Sequence, residues 1–176
     1  MADMTARTRS AGVGLLLLGA ALLCTAAGCS NTKTERTLFV APGGAWQVVF
    51  PGKVTTETDP GVVVYSARYG RDYYGVVDVT ISPGLVVNLD DDANNAINSS
   101  RDALGAVATD RVVTPITLDG LEGRSFTAEL SSGKDSSTLT GVVVEQNGHV
   151  VSAIMTDGLS NSPDDVKQFI ASFVLR

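Results

Sequence analysis

The chain has 176 residues, 44% of them hydrophobic, and its 19 acidic against 13 basic residues give a net charge of −6. A field of that sign disfavours nucleic acid and anionic lipid headgroups as partners recognised through charge. Two cysteines and one histidine leave little material for thiol, zinc or histidine chemistry.

The first ten residues, MADMTARTRS, carry Arg7 and Arg9, and residues 11–23 (AGVGLLLLGAALL) contain no charged or hydrogen-bonding side chain. A short basic start, an apolar stretch and a small-residue exit form the layout of a secretory signal. The exit, Ala26-Ala27-Gly28-Cys29, resembles the bacterial lipobox, in which a diacylglyceryl group is attached to the cysteine thiol and the chain is cut just before it. The resemblance implies that Cys29 is the lipidated first residue of a protein held on the cell membrane, facing outside the cytoplasm. Cys24 follows the large Leu22 and Leu23 and does not fit the same pattern. An uncleaved membrane anchor is the alternative, but the 13-residue apolar core falls short of the ~20 residues a bilayer needs. The expected organisation is a signal peptide at 1–28, a lipidated cysteine and short tether at 29–36, and a single domain at 37–176. Cutting before Cys29 leaves 11 basic and 18 acidic residues, a net charge of −7.

Within the domain, strand signals dominate. Residues 37–41 (TLFVA) and 46–50 (WQVVF) read as strands, the second alternating with Trp46, Val48 and Phe50 on one face and ending at Pro51-Gly52. Residues 61–69 and 73–82 bracket Gly70-Arg71-Asp72, a hairpin signal. Residues 90–105 read as a helix: Ala93, Ile97 and Leu104 fall near one face, and Asp90, Asp91 and Asp92 meet the positive end of the helix dipole. Further strands are expected at 111–118, 124–131, 136–146 and 149–157, with Asn147-Gly148 the strongest turn between them. Ser162 as cap, Pro163 at the first helical position, and Val166, Phe169, Ile170 and Phe173 at helical spacing predict a C-terminal helix packed on the sheet. The fold class is α+β, a central, mainly antiparallel sheet flanked by helices.

The order of motifs resembles PsbP-like domains. WQVVFPGKV is similar to their F-x-V-x-F-P-G-x-P opening, LDGLEGRSF to a G-x-P-G-R strand entry, VVVEQNGHVVSAIM to the hairpin before the penultimate strand, and VKQFIASFVL to the closing F-x-x-S-F helix. Lys53 and Val54 replace the usual residues after Phe-Pro-Gly, and Leu121 replaces the proline. The resemblance covers residues 37–176. It implies an α/β/α sandwich that works as a binding or assembly module without a shared active site, and exported lipid-anchored versions occur among actinobacterial lipoproteins.

No enzyme chemistry is expected. After Cys29 there is no thiol, His149 follows a hairpin turn without a Gly-x-Ser-x-Gly elbow, and Asp90, Asp91 and Asp92 lack calcium-loop spacing. No cofactor and no metal is implied. The stretch YSARYGRDYY concentrates Tyr65, Arg68, Tyr69, Arg71, Tyr73 and Tyr74, the residue types of protein–protein hot spots, which makes it a candidate surface for an unidentified envelope protein. An ordinary hairpin with Tyr65 and Tyr74 half-buried is the plainer alternative. A second functional class is a carrier of an apolar or lipid ligand, because Ala93, Ala96, Ala103 and Gly105 could leave room between helix and sheet. A hydrolase built on His149 is the remote third.

Overall fold

The computed structural model describes residues 35–158 and 163–176. The expected signal, Cys24, Cys29, most of the tether and the Ser162 cap lie outside the described residues. Strands β1 (Arg36–Val40), β2 (Trp46–Pro51), β3 (Thr55–Asp59), β4 (Val62–Tyr69) and β5 (Asp72–Thr80) precede helix α1 (Leu89–Leu104). Then come β6 (Val107–Leu118), β7 (Leu121–Ser132), β8 (Asp135–Gln146), β9 (His149–Asp157), α2 (Pro163–Ser172) and β10 (Val174–Leu175).

Seven strands form one sheet in the order β3-β4-β5-β9-β8-β7-β6, and β1-β2-β10 form a smaller one. Every neighbouring pair is antiparallel. Tight turns set the registers. Asn147 and Gly148 both take positive φ (53° and 78°), as do Asp119 and Gly120 (49° and 87°) between β6 and β7, the geometry whose twist matches that of paired strands.

Alternation divides the core in two. Tyr74, Val76, Val142, Val144, Val151, Ala153 and Met155 point to one face of the large sheet, where they pack against Trp46, Val48 and Phe50 of β2, Phe169 of α2 and Phe173 just after that helix. Phe126, Ala128, Leu130, Leu139, Val143, Val150 and Ile154 point to the other, against Ala93 and Ile97 of α1. Strand β8, covered on both sides, and β9, at the margin of the α1 layer, are buried almost throughout their middles. One flanking layer is therefore a lone helix and the other a small sheet with one helix, so strand outweighs helix more than the expected description implied.

Helix α1 begins where Asn88 Oδ1 accepts the N–H of Asp90 (3.1 Å) and Asp91 (3.4 Å) and ends at Gly105 in the left-handed region. Leu104, expected on the packed face, is 47% exposed. The last turn reaches the end of β7, where Ser132 bonds the Gly105 carbonyl. Strands β3 and β10 were not anticipated. Thr55–Asp59 is a wholly exposed edge strand without apolar periodicity, the composition that protects a sheet edge. The two residues of β10 carry no pattern of their own.

Candidate functional site

Helix α1 lies along β6, β7 and β8, and among the described residues the β4-β5-β9 part of the same face has no helix above it. The result is a cleft of about 390 Å³. Its floor is mainly apolar: Val64 of β4, Val77 and Val79 of β5, and Val150 and Ile154 of β9, with Ser152 between the last two, all placed on one face by the registers Val64↔Val77, Val77↔Ser152 and Val79↔Val150. Its wall is the flank of α1 that carries Asp91, Asp92, Asn95, Ala96, Ser99 and Ser100. At its rim the loop after β5 presents Leu85, Val86 and Val87, with Val86 94% exposed.

Tyr73 closes one end. Its ring lies over Gly75, where a Cβ would meet Tyr73 Cε1 at 2.8 Å, so the glycine makes room for the ring. Arg68 stacks over that ring at 5.7 Å from the centroid. Burial pushes the Tyr73 hydroxyl pKa up, against the smaller opposing effects of a Ser66 hydrogen bond and Arg68. From Tyr73 to Val79 the floor runs about 20 Å at ~3.3 Å per residue.

The first turn of α1 is electrostatically uneven. Arg124 of β7 holds Asp90 with two bonds, Nε to Oδ1 at 2.9 Å and Nη2 to Oδ2 at 3.2 Å, and also reaches Glu122 at 2.8 Å. The Arg124 hydrogen bond keeps the Asp90 carboxyl below its ordinary range. On the cleft side, burial and then the neighbouring Asp91 push Asp92 up. Asp91 accepts from the Asn88 side chain at 2.9 Å.

The tyrosine–arginine stretch is split by the pleat. Tyr65 and Tyr74 are buried on the β2 side, 6% and 2% exposed, and form ring contacts with Trp46 and Phe169 respectively. Tyr73 borders the cleft on the opposite face, with Arg68 stacked on its ring. Tyr69 and Arg71 stand at the hairpin tip, Arg71 paired with Asp135 at 3.0 Å. The six residues thus do not make one surface.

His149 is more than a turn residue. Its Nδ1 lies 2.7 Å from Asp78 Oδ1, and Asp78 Oδ2 accepts the indole N–H of Trp46 at 3.1 Å. The second oxygen of Asp78 is committed to a core tryptophan, which makes the pair a structural link between the large and small sheets.

The cleft itself escaped sequence reasoning because its floor residues read as ordinary strand valines. Of the small residues noted on the helix, Ala96 lines the cleft, whereas Ala93 is packed beneath it. Among the described residues no helix is long and apolar enough to cross a membrane.

No protein-family model and no curated protein matches the chain. Among solved structures, it is similar to cyanobacterial PsbP (CyanoP) from Synechocystis, with TM-score 0.57 and 14% identity, over 85% of this chain and 98% of that one. A protein from Bacteroides thetaiotaomicron is more distant (TM-score 0.46, 11% identity, 79% of this chain and 48% of that one). So is a Pseudomonas aeruginosa protein of unknown function (TM-score 0.41, 12% identity, 76% and 90%). The fold is PsbP-like.

Proposed function

We propose that the chain is a non-enzymatic, exported lipoprotein whose α1 cleft carries an apolar or lipid ligand at the outer face of the cell membrane. The observation that supports this most is the cleft: its volume of about 390 Å³ falls within the roughly 300–1,000 Å³ typical of small-molecule sites. An apolar floor with amide, hydroxyl and carboxylate groups along one wall suits an amphiphile, whose body leaves water while its polar group stays at the rim. Acyl chains on Cys29 hold the domain at the bilayer, with more than one chain needed for a stable hold. The same proposal reads α1 and α2 as the two outer layers of a PsbP-like α/β/α sandwich, with the cleft in the gap that α1 leaves.

Docking of an envelope protein on the β4–β5 hairpin takes second place. Two of its four tyrosines contribute to the core rather than to a surface, and the aromatic area left at the tip is that of Tyr69.

The anchor and the ligand are tested separately. Labelled fatty acid is incorporated in the wild type and in Cys24→Ala but not in Cys29→Ala; label retained in the last defeats the anchor. Native mass spectrometry of the purified protein shows a co-purifying lipid mass; clean protein together with a reproducible crosslinked envelope partner favours docking instead.

A further inference from the structure

We infer that the end of the large sheet bearing the β4–β5 hairpin faces the bilayer and docks on anionic phospholipid headgroups. This rests on the Cys29 anchor proposed above.

The orientation follows from where the tether ends. The Glu35 carbonyl accepts from Gly52, Arg36 pairs with Pro51, and Arg36, Pro51 and Tyr74 border the same small depression. Tyr74 faces Ala67, close to the hairpin tip. The chain therefore enters the domain at the hairpin end. Residues 29–35 extend at most about 25 Å when fully stretched, and the far end of the sheet lies roughly another 20 Å along the strands.

Charge points the same way. Exposed Arg36, Lys53, Arg68, Arg71 and Lys134 gather at this end. Lys53 follows Gly52 and precedes Thr55, which faces Ser66, and Lys134 sits in the turn next to Asp135, the partner of Arg71. Of the acids near them, Asp72 is buried and accepts the Gly158 N–H at 2.8 Å, Asp135 is paired with Arg71, and exposed Glu35 and half-buried Asp157 offset part of the positive charge. The opposite end carries Asp59, Asp91, Asp92, Asp119 and Glu145, besides Asp90 and Glu122, which share the single cation Arg124. The net negative charge is thus concentrated away from the anchor. The repulsion from anionic headgroups inferred from composition belongs to the far end, and screening over about 8 Å confines each end to its own field. Each cation brought to an anionic surface favours the docked state about fivefold. Tyr69, 39% exposed at the tip, is the residue type that settles at headgroup depth.

The test uses the full lipidated protein reconstituted in vesicles with brominated acyl chains, with a reporter tryptophan at either end. Trp46 is fully buried and gives a constant background. Tyr69→Trp is quenched strongly in phosphatidylcholine vesicles containing phosphatidylglycerol and less in pure phosphatidylcholine, and Thr58→Trp at the far end is not quenched in either. Reversing Lys53, Arg68 and Lys134 to Glu in the Tyr69→Trp background removes the phosphatidylglycerol dependence. Equal quenching of the two reporters, or quenching indifferent to phosphatidylglycerol, overturns the inference while the protein stays on the vesicles. Failure to float with vesicles of either composition overturns the anchor and the inference together.

Discussion

Arg124 grips Asp90 through two nitrogens, at 2.9 and 3.2 Å, and so fixes the first turn of α1 against β7. The clamped turn is the one whose Asn88, Asp91 and Asp92 line the cleft.

The clamp depends on pH in a defined direction. Asp90 has its folded pKa lowered from the ordinary value of 3.8 by the Arg124 hydrogen bond. Its contribution is therefore present above that ordinary value and is lost as pH falls through the lower folded one. Arg124→Gln lowers the melting temperature at pH 7, and the gap to wild type closes under strong acid. A gap that persists there assigns the effect to packing of the Arg124 stem.

Asp92 behaves oppositely. Burial and Asp91 raise its folded pKa, so its ionised form burdens the native state at neutral pH, even beside a favourable helix dipole. Asp92→Asn raises the melting temperature at pH 7, and the advantage shrinks as pH falls through the raised value and the wild-type carboxyl protonates. A lower melting temperature for the variant at pH 7 contradicts the assignment.

Gly141 is a packing requirement. A Cβ there would stand 2.3 Å from Phe126 Cζ and 2.9 Å from the Ala153 carbonyl oxygen. Gly141→Ala destabilises by about 1–3 kcal/mol in denaturant unfolding, the range for overfilled cores. Adding Phe126→Leu recovers part of the loss attributable to the ring, and the carbonyl contact keeps recovery incomplete.

Asp78 links the two sheets. Asp78→Ala leaves the buried Trp46 N–H without its acceptor, at a cost of about 1–3 kcal/mol, whereas His149→Ala, at a partly exposed position, costs less. Neither variant changes ester hydrolysis above background. Hydrolysis by clean wild-type protein that His149→Ala abolishes would revive the enzyme reading.

Local patterns carried most of the architecture. Trp46, Val48 and Phe50 announced β2, Asn147-Gly148 announced the β8–β9 turn, and Ala93 and Ile97 announced the packed face of α1. The Asp119-Gly120 turn carries the same kind of local signal. What escaped was tertiary. Strand β3 has no buried face, and the cleft exists because α1 spans three strands of a seven-stranded sheet, a width that no local window contains. Tyr73 and Tyr74 differ only in parity, and parity is what sends one to the cleft and the other to the core. The basic hairpin end of the domain likewise emerges only when Arg36, Lys53, Arg68, Arg71 and Lys134, far apart in sequence, are brought to one end by strand register.

The most direct measurement of the central claim is a titration of an apolar fluorescent fatty-chain probe into wild-type protein and Ala96→Trp, whose indole would project from α1 into the cleft. Saturable one-to-one binding by the wild type, reduced at least about tenfold in a variant that retains its fold by circular dichroism, is the predicted result. Equal binding by both proteins, or none by a ligand-free wild type, contradicts it.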